Sequence, residues 1–218
     1  MRELELLSGV ELQADPSRTA LLLVDMQNDF CVPGFGAEKA GRDIGAARAI
    51  IPALQRLLGS AREAGVAVAH VAFWTLPDRL GDSGPWLTQR RKATYSSDRL
   101  CLADTPGAEF VEELRPIAGE WQVRKSRYSA FTGTNLDLLL RSRGVQTVVV
   151  CGVSTNACVE STFRAAFDLG YYVLVPTDGC ASWDAALHEA ALANARHRFG
   201  ATPEVRELIE IWSRHARR

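Results

Sequence analysis

The chain has no CxxC pair, no run of apolar residues near the roughly 20 needed to cross a bilayer, and no marked excess of either charge. Each absence excludes something. Five cysteines (Cys31, Cys101, Cys151, Cys158, Cys180) at irregular spacings argue against a disulfide framework and against a zinc site. A formal charge of −1 over 218 residues gives no bulk attraction to nucleic acid or to an anionic membrane. The Arg-rich end (Arg214, Arg217, Arg218) is too short to change that and is expected to be a solvated tail. GxGxxG and GxxxxGK[ST] are missing, so nucleotide binding has no support. The first residues do not show the basic, apolar and small-residue order of a signal peptide, and the expected location is the cytoplasm. Internal repeats and low-complexity stretches are also lacking.

What is present is a 47% hydrophobic, 23% charged composition, which fits a globular enzyme with a full core. Residues 1–18 are mixed and polar, expected as a surface arm. Short apolar runs then alternate with helical periodicity. Ala20 to Val24 reads as a strand continuous enough to be buried on both faces, Thr147 to Cys151 as another buried strand, and Val66 to Phe73, Trp121 to Arg124 and Tyr171 to Val175 as further strands. Helices are expected over 44–64 (closed by Gly65), 110–114, 135–143 (with Thr134 as a cap), from Cys158 to about Leu169, and from Ser182 as cap to about Phe199. A final short strand or helix follows Pro203. This alternation points to an α/β fold, a three-layer α-β-α Rossmann-like arrangement on a mainly parallel six-stranded sheet. A single domain spanning 1–218 is expected. Residues 75–107 lack periodicity and carry three prolines and three glycines, so they read as a long functional loop or lid.

Asp25 follows the first strand, Lys125 the third, and Cys158 the loop after the fourth. Ligands of open parallel sheets bind beyond the carboxyl ends of the strands, so all three side chains can meet there. Around Cys158 the stretch from Gly152 to Thr162 (GVSTNACVEST) has a strand, tight turn and helix order. That order presents a thiol where helix dipole and backbone N–H groups favour negative charge.

Three segments, Leu23 to Phe30 (LVDMQNDF), Lys125 to Phe131 (KSRYSAF) and Gly152 to Thr162, resemble the signature blocks of the isochorismatase-like cysteine hydrolases. The likeness runs from about residue 18 to 200. Within that superfamily the second and third blocks, with Leu140 to Gly144 (LRSRG), are most similar to the ureidoacrylate amidohydrolases, with biuret hydrolases and N-carbamoylsarcosine amidohydrolases as near neighbours. The resemblance implies a catalytic triad of Asp25, Lys125 and Cys158. It also implies a non-proline cis peptide between Val153 and Ser154, and an oxyanion hole from the Ser154 and Cys158 backbone N–H groups. The implied activity is metal-independent and cofactor-independent hydrolysis of a C–N bond in a small ureido, carbamoyl or carboxamide substrate through a thioester, by a homodimer or homotetramer.

Further candidates for substrate contact are Asn28, Tyr128, Phe131 and Trp74. In the long loop, Trp86, Arg90, Arg91 and Lys92 could meet an anionic substrate, and Cys31 could line the pocket or fill space. Alternatives are an isochorismatase-type vinyl ether hydrolase, a nicotinamidase, or a non-catalytic binding paralogue. Isochorismatases typically lack the nucleophilic cysteine that Cys158 would supply. Nicotinamidases carry an Asp-x-His metal pair after the second strand, and this chain has none there. The Arg that clamps substrate carboxylate in N-carbamoylsarcosine-type enzymes is missing from Thr177 to Asp184.

Overall fold

Six strands form the sheet: β1 (Thr19–Val24), β2 (Ala67–Phe73), β3 (Trp121–Lys125), β4 (Thr147–Val153), β5 (Tyr172–Leu174) and β6 (Cys180–Ala181). The computed structural model describes residues 6–92 and 98–216. Part of the long connection (93–97), the start of the arm (1–5), and Arg217 and Arg218 lie outside the described residues. The strand order is β3-β2-β1-β4-β5, with β6 pairing with the end of β4, and every pairing is parallel. All residues of β1 and β4 are buried, which explains their unbroken apolar runs: a central parallel strand is covered on both faces. β3 lies at the edge and alternates, with Gln122 and Arg124 exposed and Val123 and Lys125 buried.

The main helices are α1 (Ile51–Ala64), α2 (Gly84–Arg90), α3 (Leu136–Ser142), α4 (Glu160–Asp168), α5 (Ala185–Asn194) and α6 (Val205–Ala216). Right-handed crossovers set their sides. From β1 through α1 to β2 the chain moves toward one edge; from β4 through α4 to β5 it moves toward the other. The two helices therefore cover opposite faces, and the direction reverses between β1 and β4. That switch point opens a crevice at the carboxyl ends of both strands. On α1, Ile51, Leu54, Leu57, Leu58 and Ala61 are buried at helical spacing. Gly65 ends the helix in the left-handed conformation (φ 75°). α6 packs along α1, and its buried Trp212 donates from Nε1 to the Ala14 carbonyl at 2.9 Å, tying the chain's last helix to its N-terminal region.

Several local expectations are corrected. The helix expected over 44–64 is two pieces, Gly45–Ala49 and α1, with Pro52 in the first turn of the second; the proline lacks the N–H that an unbroken helix needs there. Only a short 3-10 turn, Glu112–Leu114, stands within 110–114. Asp184, not Ser182, caps α5 by accepting from the Leu187 N–H at 2.9 Å. Residues after Pro203 form α6, with Val205, Leu208, Ile211 and Trp212 buried. Among its described residues the long connection holds one regular helix, α2, and short 3-10 turns at Pro77–Arg79 and Pro106–Ala108. Within 1–18, one-turn helices stand at Val10–Gln13 and Pro16–Arg18.

A partly buried charge cluster fixes the entry to β3. Arg62 of α1 donates from Nε and Nη2 to the two Glu120 carboxylate oxygens at 2.7 and 3.0 Å. His70 of β2 lies 2.8 Å from the same carboxylate through Nε2. A carboxylate only accepts, so Nε2 carries the hydrogen. Burial disfavours the Glu120 charge, but Arg62, the Ile117 N–H and His70 outweigh it and hold the carboxyl down at about 2. Its folded-state value is depressed, so its contribution is complete above the ordinary carboxylate range and is lost as pH falls toward 2. Glu120→Gln should therefore cost about 1–3 kcal/mol at neutral pH, with the gap to wild type closing between about pH 5 and pH 2. Urea unfolding across that range measures it. A gap that does not change with pH would contradict this assignment.

Candidate active site

Three strand ends deliver three polar side chains to the crevice. β1 stops at Val24, and Asp25 takes the left-handed conformation (φ 55°), which aspartate tolerates better than most residues. Its N–H donates to the Val71 carbonyl at 2.8 Å, holding it against β2. Lys125 is the last residue of β3, in register with Phe73. β4 ends at Val153, and the Val153–Ser154 peptide is cis. A wide π-helical turn, Thr155–Val159, follows and carries Cys158 into α4. Cys158 thus sits within that turn, two residues before the first residue, Glu160, of the regular α-helix expected to start with it. Single wide turns of this type occur often at functional sites.

Gly152 is what lets β1 and β4 approach here. Its φ is 113°, and a Cβ would collide with the Val24 carbonyl oxygen, its partner in the β1–β4 register. Thr162 links the other two segments. Its hydroxyl donates to the Cys158 carbonyl at 2.6 Å and accepts from the Ala130 N–H at 3.0 Å, joining the cysteine turn to the loop after β3.

Asp25 and Cys158 line a cavity of about 280 Å³, and Lys125 reaches both from beneath. Lys125 Nζ lies 2.8 Å from Asp25 Oδ2 and 3.3 Å from Cys158 Sγ, with a third contact to the Arg127 carbonyl at 3.2 Å. All three residues are buried. Asp25 Oδ1 is buried with no hydrogen-bond partner among the described residues, so one carboxylate oxygen is left to accept a proton. Burial raises the Asp25 carboxyl above the ordinary aspartate value against the pull of Lys125. Burial works against the Lys125 ammonium, yet Asp25 and Cys158 hold it above the ordinary lysine value. Burial, followed by the Asp25 charge, pushes the Cys158 thiol up, and Lys125 opposes this. The resting thiol is therefore protonated and needs a base at the moment it reacts.

Of the candidate substrate contacts, Tyr128 lines the cavity; Asn28, Phe131 and Trp74 do not. Asn28 braces the loop, its side-chain amide donating to the Pro106 carbonyl at 2.8 Å. Phe131 stacks on Tyr171 (6.1 Å between centroids). Trp74 carries the Arg124 guanidinium 4.2 Å from its ring and lines a separate cavity beside the edge strand. Cys31 is buried core outside the cavity lining.

The sequence reading missed several wall residues. Phe30 and Phe73 form apolar wall, their rings 6.4 Å apart edge to face, and Trp183 meets Phe30 at 6.0 Å. Arg42, Asn156 and Ser182 also line the space, and the Ser182 hydroxyl bonds the Asn156 side-chain oxygen at 2.5 Å. Arg42 and Trp183 lie far from the motif blocks in any local sense, and no periodicity marks them. Gln27 is wholly structural: its amide nitrogen donates to the Phe73 and Ala108 carbonyls (3.0 and 2.7 Å), and its oxygen accepts from the Phe73 N–H at 2.7 Å. Asp29 accepts from the Gly36 and Cys101 N–H groups at 2.9 and 2.6 Å. Among the described residues no three His, Cys, Asp or Glu side chains group as metal ligands, and no helix is long and apolar enough to cross a membrane.

Comparison with known proteins gives three findings. The isochorismatase domain family matches residues 19–207. Ureidoacrylate amidohydrolase RutB of Agrobacterium fabrum is 34% identical over 211 residues, covering 92% of each chain, and the enzyme of that name from Methylorubrum extorquens (strain DSM 6343 / CIP 106787 / DM4) is 34% identical over 201 residues, covering 88% of this chain and 81% of its own. Among solved structures, a cysteine hydrolase from Pseudomonas syringae pv. phaseolicola superposes with a TM-score of 0.83 at 30% identity over 92% of this chain and 94% of its own. N-carbamoylsarcosine amidase from Thermoplasma acidophilum does so at 0.68 and 27% identity, over 86% and 95%.

The buried Lys125–Asp25 pair makes a stability prediction. Removing one partner strands the other charge, whereas removing both does not. Lys125→Met should lose about 3 kcal/mol in urea unfolding, and Asp25→Leu in the same chain should restore most of it. A single variant as stable as wild type would contradict the pairing.

Proposed function

The chain belongs to the isochorismatase family, and on that premise we propose that it is a cysteine amidohydrolase that cleaves the C–N bond of a small ureido, carbamoyl or carboxamide substrate. The observation that carries this reading is the contact of one buried ammonium, Lys125, with both the Asp25 carboxylate and the Cys158 sulfur at the cavity. A family model over residues 19–207 supports a single hydrolase domain. Five cysteines free of disulfides suit a reducing cytoplasm. The proposed assembly, a homodimer or homotetramer, rests on the family resemblance.

In this mechanism Asp25 takes the Cys158 proton on its unpartnered oxygen as the sulfur attacks the substrate carbonyl carbon. Lys125 stays protonated and stabilises the forming thiolate. The carbonyl electrons move to oxygen, and the Ser154 and Cys158 N–H groups receive the oxyanion. As the C–N bond breaks, Asp25 gives its proton to the leaving nitrogen, which departs as ammonia or an amine. The acyl or carbamoyl group remains on sulfur. Asp25 then deprotonates a water that attacks this thioester; the C–S bond breaks and the sulfur is reprotonated. One carboxylate serves as base, acid and base again, which a value raised by burial favours.

Ammonia release from a panel of ureidoacrylate, biuret, N-carbamoyl amino acids and carboxamides tests this. Cys158→Ala should lower kcat by about 10⁴-fold or more on any accepted substrate. Activity within about tenfold of wild type would overturn the covalent route. The pH profile of kcat/KM follows from the two pKa directions. Protonated Asp25 cannot act as base, so activity is lost as pH falls through a value above that of an ordinary aspartate. Neutral Lys125 cannot hold the thiolate, so the alkaline loss comes above the ordinary lysine value. A profile with its acid limb at or below an ordinary aspartate value would contradict the assigned base.

A further inference from the structure

The two N–H groups that the mechanism above assigns to the oxyanion belong to Ser154 and Cys158, near the two ends of one wide turn. Such a pair works only when both donors are held at the right separation. The Cys158 end is fixed by Thr162, whose hydroxyl donates to the Cys158 carbonyl at 2.6 Å. At the other end, the Ser154 carbonyl accepts from the Ala157 and Val159 N–H groups at 3.0 and 3.2 Å, but these bonds lie inside the turn and move with it. An anchor from outside is needed there.

That anchor is the 2.8 Å hydrogen bond between Thr155 Oγ1 and His188 Nδ1. Thr155 opens the turn and is fully buried, and His188 is the one hydrogen-bond partner of its hydroxyl among the described residues. A buried hydroxyl is costly without a partner. The side chain of threonine is stiff at χ1, so holding Oγ1 also holds the backbone that carries it. The bond forms with either neutral histidine tautomer, because a hydroxyl both donates and accepts. His188 is itself well placed to hold something. It stands at the start of α5, and its N–H donates at 3.0 Å to the carbonyl of Asp184, the residue that caps that helix. A second tie joins the same two segments, from the Ser182 hydroxyl to the Asn156 side chain. His188 does not line the cavity, whereas Ser154, Asn156 and Cys158 do. It therefore acts on a bound substrate only through Thr155.

We propose that His188 is a positioning residue for this reaction: through Thr155 it holds the start of the turn so that the Ser154 N–H meets the oxyanion together with the Cys158 N–H. The inference rests on the amidohydrolase reading for the oxyanion of turnover, and its second readout below needs no turnover. The first turn of α5 then has two tasks, covering the cavity with Leu187 and bracing the turn opposite with His188.

The test uses the full chain. Thr155→Val keeps the side-chain shape and removes the hydroxyl; His188→Leu removes the ring nitrogen, and because His188 is half-buried this variant is expected to fold. Each should lower kcat by about 10- to 100-fold on any accepted substrate while KM stays within about threefold, since the oxyanion exists only after attack. The double variant should lose little more than the worse single one, because both remove the same bond. Thr155→Ser and His188→Asn keep a hydrogen-bonding group at each position and should recover most of the loss.

The second readout is propanal labelled with carbon-13 at its carbonyl carbon, followed by NMR. The Cys158 sulfur adds to that carbon, the carbonyl electrons move to oxygen, and the thiol proton ends on that oxygen; nothing leaves. Wild type should form this hemithioacetal, Cys158→Ala should not, and Thr155→Val and His188→Leu should weaken it by about tenfold. Single variants within about threefold of wild type, a loss carried by KM alone, losses that multiply in the double variant, or conservative variants as impaired as the disruptive ones would each overturn the proposal. So would a wild type that forms no adduct at about 50 mM propanal. A wild type that releases no ammonia, yet whose adduct depends on His188, would sink the amidohydrolase reading and leave the positioning role standing. An active enzyme indifferent to both substitutions would do the reverse.

Discussion

A lysine ammonium buried beneath a cavity, 2.8 Å from a carboxylate and 3.3 Å from a thiol, is the interaction on which the rest of the site depends. Neither Asp25 nor Lys125 would remain charged alone at that depth, because burial disfavours both ions. Paired, each lowers the cost of the other's charge, and the same ammonium lies within reach of the sulfur. In the proposed mechanism the nucleophile is therefore a thiol at rest, with the base and the counter-ion for the thiolate already in place. Pre-set charges of this kind need little reorganisation when the reaction starts.

Keeping those groups together demands accuracy from elements far apart in the chain. Asp25 and Cys158 come from strands that are neighbours across the switch point, and Gly152 allows the close approach between them. Lys125 comes from the edge strand, whose entry is set by Arg62, His70 and Glu120 at the opposite end. Gln27 and Thr162 bind the intervening loops by hydrogen bonds to backbone. Stability and catalysis thus share residues: the cluster that anchors β3 also positions the ammonium at its far end.

Much of this was legible in the amino-acid order, and the divide has a physical basis. Central strands buried on both faces announce themselves as apolar runs, as Leu21 to Val24 and Val148 to Val150 do. Residues at strand ends inherit their position from the strand, so the amino-acid order alone places Asp25, Lys125 and Cys158 near one another. The cavity walls were different. Trp183 and Arg42 reach the site through loop paths that no periodicity encodes, while Asn28 and Phe131, inside the motif blocks, and Trp74, at the end of β2, turn elsewhere. The sites of helix breaks followed from local details, Pro52 and the wide turn at Thr155–Val159, which average patterns smooth over.

In the proposed mechanism the Cys158 sulfur bonds to the substrate carbonyl carbon during turnover. Rapid acid quenching with an accepted substrate, followed by intact-protein and peptide mass spectrometry, shows whether that bond forms. The expected result is an acyl or carbamoyl mass increment on the wild-type peptide bearing Cys158, lost in Asp25→Asn, which lacks the base for the attack. Steady wild-type turnover with an unmodified Cys158 peptide, or an increment on any other residue, would contradict it.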